Sequence, residues 1–200
     1  FMSTCSIKND DFLIFEFFLS LLNEKYNLRF DEINSKNKVI PVLSTVEEFT
    51  STFFYLKTPK KVYKLQSDNN IKIDVAKNEN GLAITYSIAN VADVVVDFDC
   101  FQSSIERDFD TIKTTITITN KGNKKDEFAV KQIIDTVLGE ASAQHFYTSD
   151  DTPVKNEVLY RELKGQKWFV SKNNSAAMQF VFKGADATEP EMIALANYAT

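Results

Sequence analysis

Cysteine, glycine, proline and histidine are all scarce in this chain: two Cys, five Gly, four Pro and one His in 200 residues. Cys5 and Cys100 cannot build a disulfide framework. With no Cys-x-x-Cys pair and His145 as the sole imidazole, no zinc set can be assembled, and no metal or cofactor is expected. The low glycine and proline content argues against a linker-rich or disordered chain. There is no glycine-rich phosphate loop and no nucleophile elbow, so no catalytic set is assigned from motifs. Concentrated positive charge is also missing. The net charge is −5, and the densest basic cluster, Lys57-Thr58-Pro59-Lys60-Lys61, reads as a solvated turn, so nucleic acid is not an expected partner.

Aromatic residues are abundant, with 17 Phe among 44% hydrophobic residues, a load suited to filling the space between two sheets. The block Val94-Val95-Val96-Asp97-Phe98-Asp99-Cys100 and the run Thr111-Ile112-Lys113-Thr114-Thr115-Ile116-Thr117-Ile118-Thr119-Asn120 are rich in β-branched residues. The second alternates between Ile and polar residues, which predicts a strand with one buried and one wet face. Cys100 shares the face of Val94, Val96 and Phe98, which predicts a buried free thiol.

Near the N-terminus, Asn9-Asp10-Asp11 resembles a helix cap ahead of the apolar run Phe12 to Leu22, and the pattern predicts one helix over 10–26. Its apolar core of about a dozen residues is too short to cross a bilayer and carries Glu16. A polar connector over 31–38 follows. Strand signals then recur at Val39–Leu43, Thr52–Lys57, Lys61–Gln66, Ile71–Ala76, Leu82–Ile88, Val91–Asp99, Thr111–Thr119, Phe128–Leu138, Val158–Leu163, Lys167–Ser171 and Met178–Phe182. Turn chemistry separates them, as in Asn78-Glu79-Asn80-Gly81 and Lys172-Asn173-Asn174. The expectation is a mostly β, antiparallel β-sandwich over 38–200, behind an N-terminal helix and connector over 1–37.

The densest polar constellation lies between Asp135 and Phe146, where an apolar strand runs into a loop. Asp135, Glu140 and His145 could supply acid and base groups there, and strand exits are common places for function. The same residues also describe a structural turn, with Gly139 taking an unusual φ and Asp135 accepting backbone N–H groups. Asp93, Asp97 and Asp99 share one strand face; they could offer oxygens to Ca²⁺, but a straight strand spaces them widely, and a solvated face is the plainer reading. Trp168 is either a sugar-stacking platform or core. The candidate ligand-binding residues are therefore Asp135, Glu140, His145 and Trp168, with no metal site.

Several elements share their order with another group of proteins. Val130-Lys131-Gln132-Ile133-Ile134-Asp135-Thr136-Val137-Leu138-Gly139 resembles the V-R-x-x-L-D-T-x-x-G element of large bacterial extracytoplasmic β-sandwich (supersandwich-like) domains. Glu140, Phe146, Glu157 and Trp168 follow in matching order, and Pro190-Glu191-Met192-Ile193-Ala194-Leu195-Ala196-Asn197-Tyr198 is similar to a terminal P-D-x-V-x-x-A-N-W segment. The match runs over roughly 110–198; Lys131 stands in place of the Arg, and Glu140-Ala141-Ser142 in place of the acidic turn. The resemblance implies export to the periplasm or cell surface, an extended conformation over 190–198 and a chain that continues past Thr200. No catalytic residues come with it. Phe1-Met2-Ser3-Thr4-Cys5 is also loosely similar to the tail of a lipoprotein signal, which would make Cys5 an acylation site.

The expected function is a non-enzymatic envelope or surface module for recognition or assembly, with a protein or glycan partner and no transmembrane span. The alternative is a carbohydrate-binding or mutarotase-like carbohydrate-active sandwich that uses His145, Asp135 and Glu140, with Trp168 as platform.

Overall fold

The computed structural model describes residues 2–8, 13–20, 25–33, 39–44, 52–65, 70–105, 109–142, 144–184 and 186–196, with side chains described from residue 40 onward except at 109. Among them the chain is mostly β and every strand pairing is antiparallel. It divides into two compact units, Phe1–Asp135 and Thr136–Thr200.

The first unit opens with β1 (Met2–Lys8), β2 (Leu13–Ser20), β3 (Lys25–Ile33) and β4 (Val39–Pro41), ordered β1-β2-β3-β4 in one sheet. The helix expected over 10–26 is therefore replaced by two strands, and β3 extends into the expected connector. An almost unbroken apolar run carries no period of its own, so it suits a central strand as well as a helix. The Phe and Ile content of β2 favours the strand, and β1 and β3 pair with it along both edges. The proposed cap over 9–11 lies outside the described residues, as do the side chain of Cys5 and residues 197–200.

All eleven strands read from the later sequence are present. β5 (Phe53–Lys57) lies between β11 (Ala129–Ile133) and β6 (Val62–Lys64) in a three-stranded sheet. β7 (Ile71–Lys77), β8 (Gly81–Ile88), β9 (Ala92–Gln102) and β10 (Phe109–Asn120) form a four-stranded sheet ordered β10-β9-β8-β7. In its central strands burial alternates residue by residue: Leu82, Ile84, Tyr86 and Ile88 of β8 and Ala92, Val94, Val96, Phe98 and Cys100 of β9 are buried. Direct partners share a face, so Ile112, Thr114, Ile116 and Ile118 of β10 continue that apolar surface, half-buried. The ring of Phe54 on β5 lies 6.3 Å from that of Phe98. Burial, and secondarily the neighbouring Asp99 charge, push the Cys100 thiol above its ordinary range.

The second unit uses shorter strands: β12 (Phe146–Thr148), β13 (Val158–Tyr160), β14 (Trp168–Lys172), β15 (Ala177–Val181) and β16 (Ile193–Leu195). They form a sheet ordered β12-β14-β15 and a β13-β16 pair. Leu163, Phe169, Ile193 and Leu195 make its core, with Phe146, Val154, Val158, Tyr160 and Phe182 packed around them. Phe169 touches two other rings, Tyr160 at 5.0 Å and Phe182 at 6.0 Å. The extended reading of Ile193–Leu195 is observed; β12 is a strand the sequence pattern did not reveal.

Candidate functional site

β11 ends at Ile133, five residues before the apolar pattern does. The chain leaves the ladder because its next backbone groups find partners elsewhere. The Asp135 N–H donates to Thr52 Oγ1 (3.2 Å), and its carbonyl accepts from the Ser44 N–H (2.9 Å). Asp135 closes the first unit, and Thr136 opens the second. The Ser171 hydroxyl gives its proton to the Leu138 carbonyl (3.2 Å). The buried Thr136 hydroxyl, 2.8 Å from Ser171 Oγ, is therefore the donor in that pair.

Gly139 has φ +87°, and a Cβ there would meet the Gln144 carbonyl oxygen at 2.4 Å and the Lys172 carbonyl oxygen at 3.0 Å. Only glycine makes this turn at no steric cost. A single 3₁₀ turn, Glu140–Ser142, follows, with the Ser142 N–H and hydroxyl both donating to the Gly139 carbonyl (3.0 and 2.9 Å). Glu140 is exposed on this turn. His145, by contrast, is buried, its ring stacked on Phe146 with centroids 5.7 Å apart, and its Nε2 has no hydrogen-bond partner. The Gln144 amide spans the next segment, donating to the carbonyls of Phe146 (3.0 Å) and Val154 (3.1 Å). Trp168 is half-buried on β14 opposite Val181.

The residues named from sequence thus occupy different settings. His145 is drawn into the fold around Gly139 and Lys172, while Glu140 stands in solvent and Trp168 sits in the sheet. General acid–base chemistry needs a group within reach of substrate. The loop's polar groups act here chiefly on one another and on β14. No family model matches the chain, and no curated protein or solved structure matches it.

Two sheet faces in the first unit carry the charge that the sequence scatters. On the polar side of β9, Asp93 is held by Lys121 at 2.8 Å, and Asp99 accepts from the Asn78 amide at 3.2 Å. The Lys121 hydrogen bond, helped by the Ser87 hydroxyl, keeps the Asp93 carboxyl below the ordinary carboxylate range. Among the described residues no group of three or more His, Cys, Asp or Glu side chains is placed to hold a metal ion.

The other face belongs to β5 and its neighbours. Register sets Tyr55 between Lys64 of β6 and Lys131 of β11, and Phe53 beside Ile133. The Phe53 and Tyr55 rings meet edge to face at 5.3 Å. Lys64 Nζ lies 4.1 Å from the Phe53 ring centre, and Lys131 Nζ lies 5.7 Å from that of Tyr55. Lysines 64 and 131 are far apart in the chain, so no local motif announces this grouping. The available signal was alternation: Phe53, Tyr55 and Lys57 share one side of a strand.

Proposed function

We propose that this protein is a non-enzymatic, exported β-sandwich module of the bacterial envelope or cell surface, serving recognition or assembly. The observation that carries this reading is the edge strand β10. It is 12 residues long, lacks Pro and Gly, and pairs with β9 along one edge, leaving the other without a strand partner among the described residues. A long edge with no strand paired to it among the described residues, and with Ile at alternate positions, is suited to accepting a strand from another polypeptide. The resemblance over 110–198 supports export. Within it, Thr136 and Gly139 hold the loop to β14, a structural use of the matching motif. No helix among the described residues is long and apolar enough to cross a membrane.

The test is site-specific photocrosslinking in intact cells from Thr117 on β10 and, as control, from Thr85 on the central strand β8. A discrete crosslinked species from position 117, lost when Thr115 and Thr119 are both changed to Lys, is the expected result. Crosslinks that are equal at both positions, or recovery of the protein solely in the cytosolic fraction, would overturn the reading.

A further inference from the structure

We propose that the face of β5, β6 and β11 bearing Lys64, Tyr55 and Lys131 binds an acidic glycan, with a pyranose ring on Tyr55 and its carboxylates at the flanking lysines. The inference does not rest on the strand-edge reading, because β10 belongs to a different sheet.

The argument begins with charge. The three strands carry Lys57, Lys64 and Lys131 and not one Asp or Glu, and the β5–β6 turn adds Lys60 and Lys61, in a chain of net charge −5. No carboxylate among the described residues pairs with Lys57, Lys64 or Lys131. Positive charge gathered at Lys57, Lys64 and Lys131 on one face, with no carboxylate paired to them among the described residues, is complementary to an anion from outside. The aromatic rings organise it. Cation–π contact draws two of the ammonium groups in over Phe53 and Tyr55, limiting the rotamers that would be lost on binding.

Geometry then narrows the ligand. Lys64 and Lys131 stand on the two strands flanking Tyr55, about 10 Å apart in the backbone. A ligand that engages both must combine a flat face with negative groups on either side. A sugar ring lays partially positive C–H bonds on the negative face of an aromatic ring, and uronate carboxylates project sideways from such a chain. The row is only three residues wide and lysine, not arginine, supplies its charge. That suits point contacts to a short acidic oligosaccharide better than the long basic track a nucleic-acid strand requires.

The experiment is calorimetric titration of the 200-residue chain with an oligogalacturonate, alongside neutral dextran and single-stranded oligonucleotide. Saturable binding of the oligogalacturonate, weaker as salt is raised, is expected. The double variant Lys64→Gln/Lys131→Gln should weaken it roughly tenfold. Lys113→Gln, on another sheet, should leave it unchanged. Tyr55→Leu, which keeps bulk but removes the aromatic platform, should weaken binding severalfold; circular dichroism checks its fold, and the lysine variants carry the test should it not fold. Absence of binding, equal affinity for dextran, tighter binding of the oligonucleotide, or lysine variants that bind as the parent does would each overturn the proposal. So would a folded Tyr55→Leu with undiminished affinity.

Discussion

In the β10-β9-β8-β7 sheet, β8 and β9 pair over eight consecutive residues and bury alternate positions, whereas among the described residues no strand of the second unit exceeds five residues. The first region repeats one simple rule: Ile, Val, Leu and Phe at every second position place a continuous apolar sheet beneath a ladder of backbone hydrogen bonds. Its apolar contacts are spread over many side chains. The second unit has little ladder to rely on. Phe169 gathers Tyr160 and Phe182 around itself, Thr136, Ser171 and Gln144 tie loops to strands, and Gln166 ties one loop to another. Distributed contacts tolerate loss at one position; concentrated ones do not.

The sharpest way to break this comparison is to remove the central ring from each region. Phe169→Ala and Phe98→Ala each delete a fully buried Phe, with an expected cost of about 3–5 kcal/mol. Phe169→Ala should stand at the upper end and remove amide protection throughout β12–β16, read by hydrogen exchange. A smaller loss at Phe169 than at Phe98 would end the claim that the second unit concentrates its stability.

Next in size are two glycines. Gly81 sits against β9, where an added Cβ would fall 1.7 Å from the Phe98 carbonyl oxygen; at Gly139 both the φ and the close carbonyl of Gln144 forbid one. Gly81→Ala and Gly139→Ala should each cost about 2–4 kcal/mol by denaturant unfolding. Gly139→Asn should do no better than Ala. Asn tolerates the left-handed region, but its Cβ meets the same backbone oxygen. A rescue by Asn would mean that φ alone sets the requirement.

The smallest effect is expected at His145. Its Nε2 is buried without a partner, and its ring stacks on Phe146. His145→Phe keeps the stack and removes the unsatisfied nitrogen, so stability should stay within about 1 kcal/mol of the parent or rise. A pronounced loss of melting temperature would assign His145 a polar contact of consequence and return it to the list of functional candidates.

Legibility in the sequence follows the same division. The 92–102 and 109–120 strands could be read from alternation because one face is apolar and the other wet, and Cys100 fell on its buried face accordingly. The run 13–20 was misread, because unbroken apolarity carries no period by which helix and strand differ. In the loop from Asp135 to Phe146 the residue types were legible as a constellation, and Gly139 as its turn. Which side chain would be buried was not. His145 lies inside and Glu140 outside because the Gly139 turn packs against the backbone of Gln144 and Lys172. β12 escaped notice because three residues are too few to show a pattern.

From Val39 onward, what the sequence determined by itself is the β character, most of the strands and their turns, since these rest on local alternation and on Asn, Asp and Gly chemistry between neighbours. Tertiary structure alone decided the division at Asp135 and Thr136, the fate of His145 and the row Lys64, Tyr55, Lys131. Each depends on pairing between residues distant in the chain, and strand register, not local preference, sets which of them meet.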